Sequence, residues 1–555
     1  MKVLIILIRF NKVANIYDPN SHEKILHYLL PIGLACISSY LKRAGKDVTV
    51  INLNNKDGYI KDIIKEEMEK EKYDIAFVGG LSLFYPHLRD LIGYIHKYSP
   101  TTKVVAGGGI ITAQPEIMFN LLKPDYGIIG EGEETALELV NFIENGGDRN
   151  KIDGLIFSYM DSLVITSPRK AIMDLDSLPY PDYDSFGYSE YLNNIRPTDY
   201  VAYDIVDDPR FYPVLASRSC PYDCTFCFHP LGRKYRQRSI DNIMDEIKQN
   251  VEKYNINIIF TYDELFSNSR DRVFEFCTKF KAYSDTLPYK LWFYCNNRAD
   301  TTTNEMLKIM KASGAYLLSF GLESYSETVL KSMKKHTKPE DIKKIVHLMK
   351  ENELGLQGSF IFGDVAETCE TAKETLKFVR ENRKDIGTAV STVFIVPFQG
   401  SPIYKYCVNN GKIKDEVQFI MDREASGYDH LHPQLNMSDH LTDEEFSKLK
   451  STVLKSLVAS DVYSTPMDYW KTDNGDTFVK VKCPRCKKVS TIKNTPIPKI
   501  YFAQVIGCRH CFYRFDLAAP YYPLWRLFVK IVGYDGVQWL SKMKTYMYMK
   551  FKIAL

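Results

Sequence analysis

The segment SRSCPYDCTFCFHP contains three cysteines, Cys220, Cys224 and Cys227, in the spacing CxxxCxxC. Three thiolates can hold three irons of a 4Fe-4S cube and leave the fourth iron without a protein ligand. An open iron can bind a substrate-like molecule and pass it an electron. The alternatives are a zinc site, which usually takes four ligands in CxxC pairs, or three unrelated thiols. The spacing therefore favours an iron–sulfur cluster with one open corner.

A second group of cysteines forms two CxxC pairs near the C-terminus. Cys483 and Cys486 make the first pair, and Cys508 and Cys511 follow after twenty-one residues. Two CxxC pairs at this separation are typical of a tetrahedral zinc site, and the alternating sequence between them indicates a zinc ribbon. No titratable group is spaced to activate a zinc-bound water, so we expect a structural zinc. A second iron–sulfur cluster is the alternative.

Length, composition and charge limit the class of protein. The chain has 555 residues, of which 45% are hydrophobic and 25% charged, as is ordinary for a globular protein of several domains. A formal net charge of +3 gives no electrostatic argument for a nucleic-acid partner, and none is expected. The N-terminal MKVLIILIRF is too short to span a membrane and lacks an export cleavage site. It indicates a buried strand in an intracellular, cytoplasmic protein.

Residues 1–150 alternate between short apolar runs and helical patterns. Apolar strands alternating with helices predict an α/β fold with a doubly wound, flavodoxin-like sheet, which binds ligands beyond the carboxyl ends of its strands. Glycines, with one glutamate among them, mark those ends: Gly79, Gly107, Gly108, Gly130, Glu131 and Gly132. Glycine lets a large planar ligand approach the backbone, although tight strand–helix turns use it as well.

A second strand–helix alternation occupies residues 206–405, after an irregular linker at 151–205. Six units predict an open, partial (β/α)6 barrel, in which chemistry sits at the C-terminal ends of the strands. The three cysteines of the first motif follow the first of these strands. The predicted strands are 212–218, 256–262, 291–295, 316–321, 355–361 and 388–396.

These regions together resemble a known family. The cysteine spacing, with the aromatic Phe226 before the last cysteine, resembles the signature of radical S-adenosylmethionine (radical SAM) proteins. The segments LLPIGLACISSYLKRAGKDVTVINLN, VVAGGG and DYGIIGEGEETALELV resemble the cobalamin (B12)-binding domain that precedes many radical SAM barrels. The resemblance implies a 4Fe-4S cluster, SAM and cobalamin as cofactors. No DxHxxG motif occurs, which implies cobalamin without a histidine ligand; a domain that kept the fold and lost the cofactor is the alternative.

The resemblance also assigns roles to residues after the barrel strands. It places Asp263 and Glu264 at the methionyl amine of SAM, Arg298 at its carboxylate, and Glu323 and Ser324 near its ribose. Each acidic or arginine residue among them has an ordinary alternative in a surface ion pair or a helix cap. The chain departs from the family pattern after the fifth strand, where 364–368 reads DVAET, so that turn is expected to differ.

The C-terminal third divides into three parts. Residues 406–475 are predicted to be helical and to close the barrel or contact substrate, and 476–518 form the predicted zinc ribbon. The tail at 519–555 is aromatic and basic, with six Lys or Arg against one Asp from Leu524 onward. This composition suits contact with a membrane surface or a lipid-linked substrate, and equally suits packing against the ribbon.

The family resemblance implies a cobalamin-dependent radical SAM enzyme. Such an enzyme cleaves SAM reductively to a 5′-deoxyadenosyl radical and methylates an unactivated carbon of a small molecule, glycan or lipid-linked substrate. A flavodoxin or ferredoxin would supply the electron. An oxidative cyclase or rearrangement enzyme without methyl transfer is one alternative. A cobalamin-sensing, nucleic-acid-binding regulator is an alternative from another class.

Overall fold

The structure is a computed structural model, and it describes residues 1–10, 30–426, 435–458, 462–495, 504–528 and 531. His22 and His27, which lack the DxHxxG spacing of a cobalt ligand and are predicted to be surface or core histidines, lie outside the described residues. Most of the basic tail beyond Phe528 also lies outside them. Within the described residues, no helix has both the length and the apolarity needed to cross a bilayer.

The N-terminal sheet has seven strands in the order β2-β1-β3-β4-β5-β6-β7. The first five pair in parallel in flavodoxin-like order, as predicted, and the apolar side chains of β1, β3, β4 and β5 are buried, whereas the edge strand β2 is partly exposed. The strands are β1 Lys2–Leu7, β2 Asp47–Asn52, β3 Ile75–Gly79, β4 Lys103–Gly107, β5 Tyr126–Ile128, β6 Leu155–Tyr159 and β7 Ser162–Ile165. The helices are α1 Ile32–Arg43, α2 Ile60–Lys70, α3 Tyr85–Tyr98, α4 Gly109–Ala113, α5 Pro115–Leu122, α6 Glu133–Asn145 and α7 Tyr188–Asn194.

Strands β6 and β7 form an antiparallel hairpin that extends this sheet beyond residue 150. The sequence assigned these residues to the linker at 151–205. The two turn residues, Met160 and Asp161, both have positive φ, which is the geometry of a tight two-residue hairpin turn. Neither is glycine or asparagine, so the turn carries no strong sequence signal.

The barrel strands form one parallel sheet in the order β15-β14-β13-β12-β11-β8, which confirms the predicted partial barrel. The strands from residue 211 onward are β8 Phe211–Val214, β9 Ser217–Arg218, β10 Arg236–Gln237, β11 Ile258–Thr261, β12 Trp292–Asn297, β13 Ala315–Glu323, β14 Gly355–Phe362 and β15 Val390–Phe394. The helices are α8 Ile240–Tyr254, α9 Arg270–Ser284, α10 Asn304–Ser313, α11 Glu327–Ser332, α12 Pro339–Glu351 and α13 Cys369–Ile386.

The C-terminal part contains helices followed by two small three-stranded sheets. The sheets have the orders β16-β21-β20 and β17-β18-β19, and each contributes one CxxC pair to the predicted ribbon. The helices are α14 Pro402–Asn409, α15 Glu416–Ser426 and α16 Asp443–Val458. The strands are β16 Tyr463–Ser464, β17 Pro466–Lys471, β18 Thr477–Lys482, β19 Val489–Lys493, β20 Gln504–Gly507 and β21 Arg514–Leu517.

Contacts divide the chain into two compact units. The first unit contains 1–195 together with 217–246 and 396–435, so the cysteine loop clusters with the N-terminal sheet. The second unit contains 196–216, 247–395 and 436–555, and thus holds the six-stranded sheet and the ribbon. The domain boundaries predicted from the sequence at 206 and 405 therefore do not coincide with the division by contacts.

Candidate active site

The cysteine loop lies between the short antiparallel strands β9 and β10. Cys224 is buried, whereas Cys220 and Cys227 are partly exposed, and Cys227 N donates to Cys224 O at 3.2 Å. Among the described residues, these three sulfurs do not form a set within 4.8 Å of one another, as ligands of a single ion would. Three thiols on one loop in the spacing CxxxCxxC are nevertheless the donor set that a 4Fe-4S cluster with one open iron takes, so the chemistry of these residues fits that group.

Two arginines beside the loop are bonded to glutamates of the first unit. Arg218 donates to Glu131 at 2.7 Å and to Glu133 at 2.5 Å, and Arg236 donates to both Glu131 oxygens at 2.8 and 2.7 Å. Burial tends to raise the pKa of Glu131, but the bonds and charge of Arg218, with Arg236, outweigh it and leave that pKa below its ordinary value. The Glu131 carboxylate, predicted to lie at cobalamin, is thus engaged by two arginines.

The predicted glycines lie at the carboxyl edge of the N-terminal sheet. Gly79 and Gly107 end neighbouring strands and are register partners. Gly108 has φ +83°, and a Cβ there would lie 2.9 Å from Gly80 O, so only glycine fits. Gly130 also has positive φ, and a Cβ added to it would meet no atom within 4 Å. An edge without side chains fits a planar ring, and the assignment of these residues to cobalamin stays a prediction.

Asp263 and Glu264 follow β11 but differ in environment. The Asp263 side chain is 1% exposed, while Glu264 is exposed. Asn296 of β12 donates to Asp263 O at 2.9 Å and holds this turn against the next strand. The sequence pointed to the segment CNNRAD for its arginine only, and the asparagine was missed because amides are common in loops.

Glu323 and Arg298 are linked by a residue that sequence reasoning missed, Lys335. Lys335 Nζ donates to Glu323 Oε1 at 2.8 Å, and both side chains are 7% exposed. The Arg298 guanidinium donates to the Lys335 carbonyl, and it also pairs with both oxygens of Asp300 at 3.0 and 2.9 Å. A SAM carboxylate at Arg298 would therefore have to replace Asp300, so that predicted contact remains a prediction. The structure does bring Glu323 and Arg298 together.

Ser324 lies in a local hydrogen-bond network beside Glu323. It is 1% exposed, its hydroxyl lies 3.0 Å from that of Thr375, and it accepts from Ser326 N at 3.1 Å. These bonds order the start of α11. The N-cap of α11 is Ser326, which makes no side-chain cap hydrogen bond, so Ser324 supports this turn from two residues before the cap. The predicted contact of Ser324 with ribose stays a prediction.

Neutral polar side chains share one face of the barrel sheet. Register pairing aligns Asn296 with Ser319 and Ser319 with Gln357, and two residues further along it aligns Ser359 with Ser391. All five are partly exposed. The Gln357 Oε1 atom is buried and accepts no hydrogen bond from any described residue. This row can offer hydrogen bonds to an uncharged polar group.

The turn after β14 buries an acidic side chain. Glu367 is 1% exposed and accepts from Thr371 Oγ1 at 2.6 Å and Gly363 N at 3.3 Å. Burial raises the pKa of Glu367 to about 7. Ser438 donates to the Glu367 carbonyl at 2.7 Å, so the helical segment predicted at 406–475 packs onto this turn.

The four C-terminal cysteines form a compact set. Their sulfurs all lie within 4.8 Å of one another, with Cys483 and Cys511 3.8 Å apart and Cys486 and Cys508 3.6 Å apart. A tetrahedron of Zn–S bonds of about 2.3 Å places its sulfurs about 3.8 Å apart. The set therefore fits a single zinc ion, and this spacing favours zinc over the alternative of a second cluster.

The second knuckle of the ribbon packs on the N-terminal ends of the barrel strands. Phe512 contacts the rings of Trp292 and Tyr316 with centroids 5.5 and 6.2 Å apart, and Arg514 pairs with Asp204 at 2.8 Å. Both charged groups are 2% exposed. The carboxyl ends, where Glu323 and Asp263 lie, are at the opposite edge of the sheet. The ribbon is thus placed for a structural role.

Two family profiles match this chain, one in the barrel region and one in the N-terminal sheet region. The profile of the Radical SAM superfamily matches residues 214–379, and that of the B12 binding domain matches residues 23–140. The chain belongs to the radical SAM proteins that carry a B12-binding domain. Radical SAM domains use a 4Fe-4S cluster and SAM, and the B12-binding domain implies cobalamin.

Several relatives of this radical SAM enzyme carry methyltransferase names. An uncharacterized methyltransferase of Pyrococcus horikoshii is 27% identical over 428 residues, covering 76% of this chain and 85% of the relative. Cytidylyl-2-hydroxyethylphosphonate methyltransferase of Streptomyces wedmorensis is 23% identical over 500 residues, covering 80% and 89%. The solved structure of the methyltransferase TsrM from Kitasatospora setae, with cobalamin and a [4Fe-4S] cluster bound, shares the fold with a TM-score of 0.57. It is 19% identical and covers 73% of this chain and 75% of that chain.

We predict that Lys335→Met destabilises the second unit of the enzyme by roughly 3–5 kcal/mol, because it leaves Glu323 buried without its cation. Replacing both residues, as Lys335→Met with Glu323→Leu, should recover most of that loss. The control is Lys331→Met, whose ion pair with Glu327 is exposed and which should change stability by less than about 1 kcal/mol. Denaturant unfolding measures all three, and equal effects of the two lysine substitutions would contradict the prediction.

A pH dependence is expected from Glu367. Its folded-state pKa of about 7 lies above the ordinary value, so the folded state holds a proton that the unfolded state releases. Its contribution to stability is full below about pH 4, falls as the pH rises to about 7, and changes little above that. Glu367→Gln should therefore gain stability relative to wild type by up to roughly 3 kcal/mol between pH 5 and 8. Glu381→Gln, an exposed site on α13 that is not among the charges acting on Glu367, serves as control; a pH-independent difference for Glu367→Gln would refute the assignment.

Loss of the ribbon metal should loosen the barrel. We expect Cys508→Ser to bind no zinc at the ribbon and to lower the melting temperature by more than about 5 °C, since Phe512 and Arg514 lose their fixed positions. Cys369→Ser, at a scattered cysteine on α13, should change neither quantity. Metal analysis and calorimetry make the comparison. Iron in place of zinc at the wild-type ribbon would instead support the second-cluster alternative.

Proposed function

We propose that this protein is a cobalamin-dependent radical SAM methyltransferase acting on an unactivated carbon. The observation that carries the proposal is the cysteine loop, which lies in one compact unit with the glycine edge of a B12-binding domain. Three thiolates leave one iron open, which is what SAM requires, and the glycine edge supplies a surface for the corrin ring. Both parts are needed for this chemistry, and one chain contains both.

The chain's own residues would bind, orient and enclose the reactants. When bound, the cluster supplies an electron that cleaves SAM to a 5′-deoxyadenosyl radical, and cobalamin supplies a transferable methyl group. Cys220, Cys224 and Cys227 would hold the cluster. Asp263 and Glu264 would face the amine of SAM, and Glu323 would face its ribose at the carboxyl ends of the strands.

The remaining proposed contacts concern the outer parts of these cofactors. Arg298 would contribute to the SAM carboxylate site and Ser324 to the ribose site. The backbone at Gly79, Gly107, Gly108, Gly130, Glu131 and Gly132 would lie against cobalamin. The four C-terminal cysteines would hold a structural zinc.

Methyl transfer is favoured over the alternatives by the relatives. Two relatives that align over 76% and 80% of this chain carry methyltransferase names, while a relative named as a cyclase aligns over 66% of it. The small net charge of +3 also disfavours a regulator that binds nucleic acid.

The substrate is proposed to carry uncharged hydrogen-bonding groups near the reacting carbon. The row from Asn296 to Ser391 presents amides and hydroxyls on the barrel face, and Gln357 offers an acceptor for an N–H or O–H group. A hydroxylated small molecule or glycan fits this row better than a purely apolar lipid.

A flavodoxin or ferredoxin in the cytoplasm would supply the electron, and the basic tail would give peripheral contact with a membrane or lipid-linked substrate.

The cluster assignment is tested by SAM cleavage under strictly anaerobic conditions. Reconstituted wild-type protein with dithionite should release 5′-deoxyadenosine. The triple variant Cys220→Ala, Cys224→Ala, Cys227→Ala should release less than about a thousandth as much, because no iron remains to pass the electron. The matched control replaces three ribbon cysteines instead and should retain cleavage in whatever fraction stays folded. Cleavage by the loop variant would refute the assignment.

The reaction type is decided by the products from SAM. A methyltransferase uses one SAM as radical source and one as methyl source, so turnover should release 5′-deoxyadenosine and S-adenosylhomocysteine in equal amounts. A cyclase or rearrangement enzyme would release the first without the second. Liquid chromatography of the two products, with cell extract as the source of substrate, distinguishes these outcomes.

A further inference from the structure

Two separate contacts fasten the cysteine loop to the edge that is proposed to hold cobalamin. The first is ionic and lies before Cys220: Arg218 is 7% exposed and donates to Glu131 and Glu133. Glu131 lies between Gly130 and Gly132, and Glu133 begins α6. Arg236, the register partner of Arg218 on β10, donates to the same Glu131. The loop is thus closed at its base by a buried network of two cations and two anions.

The second contact is apolar and lies after Cys227. The Phe228 ring lies so close to Gly400 that a Cβ there would be 2.5 Å from the ring, and a Cβ on Gly109 would be 3.3 Å from it. Gly109 begins α4 directly after the proposed cobalamin glycines Gly107 and Gly108. Within the loop, Thr225 O accepts from Ile403 N at 2.9 Å. Both ends of the loop therefore rest on the two strand–helix turns that form the glycine edge.

We propose that cluster loading at the three loop cysteines and cobalamin loading at the glycine edge are thermodynamically coupled through Arg218, Glu131 and Phe228. A cofactor that binds and orders either the cysteine loop or the glycine edge fixes the buried charges and the Phe228 ring at the contact between them. The other segment is thereby ordered as well. The second cofactor then meets an already ordered site and loses less conformational entropy on binding. By linkage, each cofactor raises the affinity for the other by the same factor. Arg218, Glu131 and Phe228 are positioning residues in this arrangement.

The inference rests on the proposed cofactors and is tested by equilibrium binding. Hydroxocobalamin is titrated anaerobically into the full chain with and without a reconstituted cluster. The dissociation constant should be roughly 10-fold lower when the cluster is present. Hydrogen exchange at 217–237 should also slow when hydroxocobalamin binds to cluster-free protein, a readout that needs no catalysis.

Conservative variants assign the coupling to these contacts. Arg218→Lys loses the contact of one guanidinium with two carboxylates, and Phe228→Leu removes the aromatic ring that packs on Gly400 and Gly109. In each variant, the cluster should lower the dissociation constant of hydroxocobalamin by less than about 3-fold instead of roughly 10-fold. The matched control is Arg238→Lys, which alters a buried pair with Glu246 in the same unit and should leave the coupling intact.

The outcomes separate this inference from the function on which it rests. Equal dissociation constants with and without the cluster would overturn the coupling while leaving both cofactors assigned. Full coupling in Arg218→Lys and Phe228→Leu would overturn the route through these residues. A chain that cleaves SAM but binds no hydroxocobalamin at any loading would contradict the proposed cobalamin function itself.

Discussion

A buried charge without a partner destabilises the folded state by several kcal/mol, and that constraint organises the first unit of this protein. Glu131 and Glu133 are withdrawn from solvent at the end of a parallel strand, where only a cation can compensate them. Arg218 and Arg236 provide that compensation from the two short strands at the base of the cysteine loop. The charges thus determine which segment of the chain lies beside the glycine edge, and that segment carries the cluster ligands.

The second unit satisfies the same constraint at both edges of its sheet. At the carboxyl edge, Lys335 neutralises Glu323 and its carbonyl accepts from Arg298. At the opposite edge, Arg514 of the ribbon neutralises Asp204. The first pair lies at the carboxyl edge, where the chemistry is proposed to take place, and the second holds the ribbon to the other end of the strands. Both edges of the sheet are therefore built with the same type of interaction, a buried carboxylate neutralised by one cation.

The sequence predicts the elements well because they depend on local pattern. Six apolar runs predict the barrel strands to within a few residues, and the two CxxC pairs predict the four thiols that the structure brings together in the ribbon. The pairings between distant residues are not visible in one sequence. Arg218 and Glu131 are 87 positions apart, and nothing local distinguishes Lys335 from its neighbour Lys334. The β6–β7 hairpin was missed for a related reason, since its turn at Met160 adopts positive φ without glycine.

The central claim is that Cys220, Cys224 and Cys227 hold a cubane whose open iron binds SAM. Electron paramagnetic resonance of the dithionite-reduced, reconstituted protein tests it most directly. The account predicts the signal of a reduced 4Fe-4S cluster that changes when SAM is added and is absent from the variant lacking the three cysteines. A signal that SAM leaves unchanged, or one that survives the loss of those cysteines, would contradict it.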